Sequence, residues 1–366
     1  MADQTTRRRL LKLVPGGLLA AAAPVIGRSQ TFPRAGEFVR FADPTTETPV
    51  VRLTSPAYRN LLPAPNNRFL LSRARTLFFS SDRVNGRLSP CELDLKTGSI
   101  RLLLETSALD PASLAVDAAG RSLYFLEEGA LSETPVNSRR EKRRPEVLVR
   151  NVSSFGLGST RGELFYIADG ALHQFKKEGG SVLAEGAQGP CLVRPGGRGG
   201  CLFCRRDSGV EREFWYAPLN EPTKPVKLVT GRVSHPYWSA DGNSVLFLRD
   251  LPQNQVFVAT ICEVQLESAA ERCLAKTSQF AAFDPNGNDS VFVGASGSKA
   301  QPNVVLLLRA TGRELTLCEH RASNANEVQP VFSPDSRRVF FQSDREGRSA
   351  IYAVNVERLV EPTGDS

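Results

Sequence analysis

An all-β, seven-bladed β-propeller, closed by N-terminal strands that complete the last blade, is the fold this sequence predicts. Three observations carry the expectation. An apolar triplet recurs seven times, as Leu77-Phe78-Phe79, Leu123-Tyr124-Phe125, Leu164-Phe165-Tyr166, Leu202-Phe203-Cys204, Val245-Leu246-Phe247, Val291-Phe292-Val293 and Val339-Phe340-Phe341. Successive triplets start about 38 to 48 residues apart, the period of four-stranded blades, and they read as inner strands. Most follow a polar turn, such as Asp117-Ala118-Ala119-Gly120, Thr160-Arg161-Gly162, Asp241-Gly242-Asn243, Asp284-Pro285-Asn286-Gly287 or Pro334-Asp335-Ser336. Asp, Asn and Gly there supply the side-chain capping and positive φ that tight hairpins need. Finally, the last unit, from Gln329 onward, has strands at Val331, Val339 and Ile351 but no outer strands. The chain opens with two short strands, Phe38-Val39-Arg40-Phe41 and Val50-Val51-Arg52-Leu53, around an Asp43 to Glu47 turn. These complete the seventh blade, so residues 37–360 form one domain.

Ahead of that domain, residues 1–30 read as an export signal. Thr6-Arg7-Arg8-Arg9-Leu10-Leu11-Lys12 precedes a short apolar run ending in Ala-rich sequence. This is a twin-arginine-type leader, too short for an ordinary membrane span, with cleavage expected between Ala23 and Gln30. The expected location is periplasmic, reached by the twin-arginine route, with no membrane contact beyond the signal segment. The leader also supplies much of the formal net charge of +7. What remains is mildly basic, which suits an acidic small ligand or oligosaccharide and falls short of a nucleic-acid footprint.

Between the strands, the Arg-rich stretch 137–145 reads as a solvated hairpin tip and Pro195-Gly196-Gly197-Arg198-Gly199-Gly200 as a turn. Gly156-Leu157-Gly158 opens a strand repeat, so its glycines are expected to mark a turn. The seven cysteines are scattered. Cys201-Leu202-Phe203-Cys204 has zinc-like spacing, but residues three apart on a strand face opposite sides, so buried structural thiols are expected. Cys262 and Cys273 flank a hairpin and are a candidate pair. No Gly-x-Ser-x-Gly elbow occurs, which argues against a propeller capping a hydrolase domain.

Of the three histidines, His173 reads as a surface or packing residue, and His320, at the end of an outer strand, reads as equally unremarkable. His235 differs, because it falls on the innermost strand of the fifth blade and so faces the channel. Its surroundings, Ser234-His235-Pro236-Tyr237-Trp238-x-x-Asp241-Gly242, resemble the His-x-aromatic-Trp-x-x-Asp-Gly element of oligogalacturonate lyases, propellers related to TolB-like repeats. The opening Phe41-x-Asp43-Pro44-x-Thr46 run and the first blade are similar to that family as well. The resemblance implies β-elimination on uronate oligosaccharides, with a metal drawing charge from the substrate carboxylate. It also implies a metal site at His235 and at a last-blade Gln-x-x-His-x-His-Pro-x-Phe run. That run here reads Asn324-Ala325-Asn326-Glu327-Val328-Gln329-Pro330-Val331-Phe332. The implied ligands are therefore His235, Asn324, Glu327 and Gln329, an oxygen-rich set for Mn²⁺ or Ca²⁺ that binds more weakly than several imidazoles.

Arg205, Arg206 and Trp238 are the expected substrate contacts. In blade four the family's histidines are replaced by Gly189-Pro190 and Phe203-Cys204-Arg205, which leaves the catalytic base unassigned. Two functions stay open on these residues. One is a metal-assisted lyase of pectin-derived oligosaccharides. The other is a non-catalytic TolB-like propeller binding a glycan or an envelope protein.

Overall fold

The computed structural model describes residues 31–32, 36–71, 75–136, 144–159, 163–176, 179–219, 224–254, 256–361 and 363. The export leader, the Thr160-Arg161-Gly162 turn and most of the 137–145 loop lie outside the described residues. Seven antiparallel sheets follow one another along the chain, five of four strands and two of five. Their innermost strands are Asn60–Leu61, Ala115–Val116, Val152–Leu157, Gln188–Val193, Val233–Trp238, Phe280–Pro285 and Val331–Phe332. The apolar triplets lie on the second strand of each blade, from Thr76–Ser81 to Arg338–Ser343, one place further out than expected. A second strand is covered by its own blade on both edges and by neighbouring blades on both faces, so it reads as a continuous apolar run.

Blade 7 shows how neighbouring blades share a core. Side chains alternate across a strand, so Phe340 and Ile351 pack with Leu77, Phe79 and Leu93 of blade 1. Their neighbours Phe341 and Tyr352 pack with Val293, Leu306 and Leu317 of blade 6. The outer strands of this sheet come from the start of the chain, as the sequence predicts. Pro49–Arg52 pairs with Ala350–Asn355, and Val39–Ala42 lies outside it. The junction is reinforced by Leu53 N–H donating to the Ile351 carbonyl at 2.7 Å and by Arg348 paired with Asp82 at 2.6 Å. A further short strand, Thr31–Phe32, adds to the edge of blade 1 against Ile100 and Arg101.

The Asp-led turns form through the chemistry their residues dictate. Asp94 Oδ1 accepts from the Lys96 and Thr97 amides at 2.8 Å each, and Asp241 Oδ1 accepts from Asn243 N–H at 2.9 Å. Asp43 accepts from Thr45 and Thr46 in its own turn and also from Glu319 N–H of blade 6 at 3.0 Å. Burial alone would raise the Asp43 carboxyl, but these backbone donors outweigh it and hold the group below its ordinary range.

Gly156 corrects an expectation. It lies within the innermost strand of blade 3 rather than in a turn, and its role is close approach. A Cβ there would sit 2.4 Å from the Cys191 carbonyl oxygen of blade 4, closer than any real contact. Gly156→Ala is therefore expected to force the two inner strands apart at a cost of about 1–3 kcal/mol. Urea unfolding followed by tryptophan fluorescence measures it, and an unchanged midpoint would refute the account.

Candidate functional site at the channel mouths

The seven innermost strands run the same way through the ring, so the channel has one mouth where they start and another where they end. The end mouth holds a cavity of about 800 Å³ to which every blade contributes. Its lining runs from Arg68 of blade 1 through Leu157, Val193, Trp238 and Asp289 to Pro334 of blade 7. Two acids brace the inner strands near this mouth. Asp289 Oδ2 accepts from Ala240 N–H of blade 5 at 2.6 Å, and Asp284 Oδ2 accepts from Phe332 N–H of blade 7 at 2.8 Å. Burial pushes the Asp289 carboxyl up to about 6 and that of Asp284 up to about 8.

His235 and Gln329 belong to the start mouth. Ser239 in blade 5 and Ser333 in blade 7 are equivalent turn residues, because each hydroxyl accepts from the amide five residues on, at 3.0 and 2.9 Å. Four residues before each serine stands His235 or Gln329, followed in both cases by proline. Both residues are left-handed, with φ of 52° and 45°, a conformation rare for non-glycine residues and a sign of local demand. At His235 the cause is visible. The register jumps between Ser234 and Tyr237, so His235 and Pro236 together oppose Phe247 in a β-bulge. In blade 4 the same backbone count, from the Arg194 amide donating across its turn to Gly200, puts Pro190 at this position.

The His235 ring is partly buried, and Nδ1 lies 3.0 Å from Ser234 Oγ, which leaves Nε2 for a ligand. Burial and then the positive charge of Arg212 push its basicity down to about 4, so the imidazole is neutral at ordinary pH. In blade 7, Asn324 caps a 3₁₀ turn, Ala325–Glu327, by accepting from Asn326 N–H at 3.1 Å. Its amide also donates to Glu327 Oε1 at 3.1 Å, which ties two of the expected ligands together on an exposed turn. Gln329 Oε1 is buried and has no hydrogen-bond partner. Among the described residues no three His, Cys, Asp or Glu side chains gather closely enough to hold a metal ion. A metal here would therefore depend on amide oxygens.

The expected substrate contacts divide. Arg205 donates twice to the Glu185 carbonyl of blade 3, at 3.2 and 2.9 Å, and lies 4.4 Å from the Trp215 ring. It thus joins two blades. Arg206, next on the strand, is exposed. Trp238 lines the cavity at the opposite mouth from His235; its Nε1 donates to the Leu192 carbonyl at 3.0 Å and its ring meets Tyr216 edge-on. His173 stacks on Tyr166 at 4.9 Å, and buried His320 sits 3.0 Å from the Ser296 carbonyl, both as packing residues.

Sequence reasoning missed Gln342. Its amide donates to the Glu327 carbonyl at 2.6 Å while its oxygen accepts from Leu62 N–H of blade 1 at 2.7 Å. The residue thereby fixes the candidate ligand run against the ring, and nothing in its local sequence signals this.

Fold and site together define a channel-bearing, seven-bladed propeller with His235 on the innermost strand of blade 5 and the Asn324-to-Gln329 run leading into that of blade 7. Its structural neighbours include oligogalacturonate lyases. A manganese complex of such a lyase superposes with a TM-score of 0.79 over 90% of this chain and 98% of its own, at 18% identity. The oligogalacturonate lyase of Vibrio parahaemolyticus gives 0.78, with 90% and 99% covered, at 17% identity. A hydrazine synthase of Kuenenia stuttgartiensis also shares the architecture, with a TM-score of 0.55, 79% and 95% covered and 13% identity, so the fold alone does not fix the chemistry. In sequence, an oligogalacturonide lyase of Pectobacterium atrosepticum is 23% identical over 195 residues, 45% of this chain. The chain spans about half the length of that curated relative, 49%. No family model matches the chain.

Proposed function

We propose that the chain is an exported, oligogalacturonate-lyase-like propeller that binds uronate-bearing, acidic oligosaccharides at the His235 mouth together with a divalent cation. The observation that carries this reading is the pairing of blades 5 and 7. His235 and Gln329 hold the same position in the same left-handed backbone, and the Gln329 side-chain oxygen is buried without a partner. A buried acceptor left unsatisfied is costly, and a bound ligand is one way to complete it.

The donors here are one neutral imidazole, the Gln329 amide oxygen and the Glu327 carboxylate steadied by Asn324. They fit a hard, oxygen-preferring ion such as Mn²⁺ or Ca²⁺. Bound there, the ion would act as a Lewis acid that withdraws charge from a uronate carboxylate. Of the chain's own residues, exposed Arg206 supplies a guanidinium for that carboxylate, and Gln342 keeps Glu327 in register. Export rests on the twin-arginine-type leader, and recovery of the mature protein from the periplasm tests it.

A second reading, binding without turnover, is favoured by blade 4. Pro190 there has no group to take a proton, and the Arg205 guanidinium, which has only donors to offer, is already tied to Glu185 and Trp215.

Calorimetric titration of chelator-treated protein with trigalacturonate, with and without Mn²⁺ or Ca²⁺, tests the proposal. Binding is expected only with the cation, and His235→Ala or Gln329→Leu is expected to weaken it at least ~10-fold, about 1.4 kcal/mol. No binding under any of these conditions would sink it. Ultraviolet absorbance from an unsaturated uronate product separates the lyase from the non-catalytic reading.

A further inference from the structure

Four of the seven cysteines meet in pairs. Cys191 and Cys201 lie with their sulfurs 3.2 Å apart, both buried inside the ring. Cys262 and Cys273 face each other directly across the third and fourth strands of blade 5, Val256–Gln265 and Glu271–Lys276, with sulfurs 3.0 Å apart. The two pairs differ in access. Cys262 is buried, but Cys273 is exposed on an outer strand that is itself largely open to solvent. Directly opposed residues on antiparallel strands need little backbone movement to be bridged.

We propose that Cys262 and Cys273 form a thiol-modification site, at which the folded protein reacts with a soluble disulfide and closes a cross-strand bond. The exposed Cys273 thiolate attacks one sulfur of the oxidant and expels the other as a thiolate, leaving a mixed disulfide on Cys273. Cys262, giving up its proton to solvent, then attacks Cys273 Sγ and expels the second thiolate. Two protein thiols are oxidised and one soluble disulfide is reduced to two thiols. The order follows from access and from chemistry. The Cys262 S–H donates to the Cys273 sulfur, and burial pushes the Cys262 thiol upward, so Cys273 makes the first attack. The bond clips the outermost strand of blade 5 to its neighbour, just before the chain crosses through Thr277 into blade 6. Cys191 and Cys201, equally close but enclosed, have no access to the oxidant and act as an internal control.

The test uses the whole folded protein, reduced, exposed to oxidised glutathione, alkylated and digested with trypsin. Cleavage after Arg249, Arg272 and Lys276 puts the two cysteines on separate peptides, 250–272 and 273–276. The expected result is one disulfide-linked species joining them, lighter than the sum by two hydrogens, with Cys191 and Cys201 alkylated only after unfolding. Cys262→Ser is expected to stop at a glutathione adduct on Cys273, and Cys273→Ser to leave Cys262 unreacted. The oxidised parent is expected to melt several degrees above its reduced form, a shift absent in Cys273→Ser. Absence of the linked peptide, or glutathione adding to Cys262 in the Cys273→Ser variant as readily as to Cys273, would overturn the proposal.

Discussion

Val50→Asp is expected to destabilise the whole ring by about 3–5 kcal/mol, a large share of the roughly 5–15 kcal/mol that holds such a domain together. Val50 is fully buried on the strand that the N-terminal segment contributes to blade 7, opposite Val354. Its side chain belongs to the cluster that joins Phe341 and Tyr352 to Leu306 and Leu317 of blade 6. A carboxylate there has no partner, and the loss falls on the one seam where the two ends of the chain meet. Because each blade is covered only by its neighbours, opening this seam uncovers the faces of blades 6 and 7 together. Val39→Asp is the control. Val39 lies on the outermost strand of the same sheet and is 43% exposed, so its substitution is expected to change stability by no more than about 0.5 kcal/mol. Urea denaturation of both variants measures the contrast, and equal midpoints would refute the closure as the weak seam.

The second large effect is a dependence of stability on pH that originates in the channel. Asp284 and Asp289 have folded-state pKa values of about 8 and about 6, raised from an ordinary 3.8 chiefly by burial. Between roughly pH 4 and pH 8 the folded chain thus keeps protons that the unfolded chain has released. Raising the pH therefore favours unfolding, at up to about 1.4 kcal/mol per pH unit for each group. The stabilisation is whole below about pH 4 and is lost as pH rises through these folded values. Between pH 5 and pH 8 the two acids together cost on the order of 5 kcal/mol. His235 and His320, held below the ordinary histidine value by burial, act in the opposite sense up to about pH 7, His235 by on the order of 2 kcal/mol. The net expected fall is therefore at most roughly 3 kcal/mol. Asp284→Asn keeps an oxygen to accept from Phe332 N–H and removes most of the acids' share. Carboxyls held below their ordinary range, such as Asp43 and Asp241, act in the opposite sense and only in stronger acid, so they do not mask the trend. Thermal melts across this range decide the matter. A parent protein no less stable at pH 8 than at pH 5 would contradict it.

The sites were legible to different depths because different physics governs them. His235 on an innermost strand followed from counting within the repeat, and the structure has it there. The splitting of the expected substrate contacts was not legible. Trp238 stands three residues from His235, yet the strand carries it to the other mouth, where its indole N–H serves a neighbouring blade. Arg205 looked like a free guanidinium because the carbonyl that engages it, Glu185, is twenty residues away and in another blade. Gly156 looked like a turn residue for the same reason, since the atom it must avoid belongs to Cys191.

The sequence by itself determined the number of blades, the Asp-led turns and the closure. Each depends on local periodicity and on the hydrogen-bonding habits of Asp, Asn, Ser and Gly, which act within a few residues. Only the tertiary structure decided which cysteines meet, which carboxyls hold a proton and which polar side chains remain open to a ligand. Those outcomes depend on what a neighbouring blade brings within about 3 Å, and the spacing of residues along one strand carries no record of the atoms across the gap.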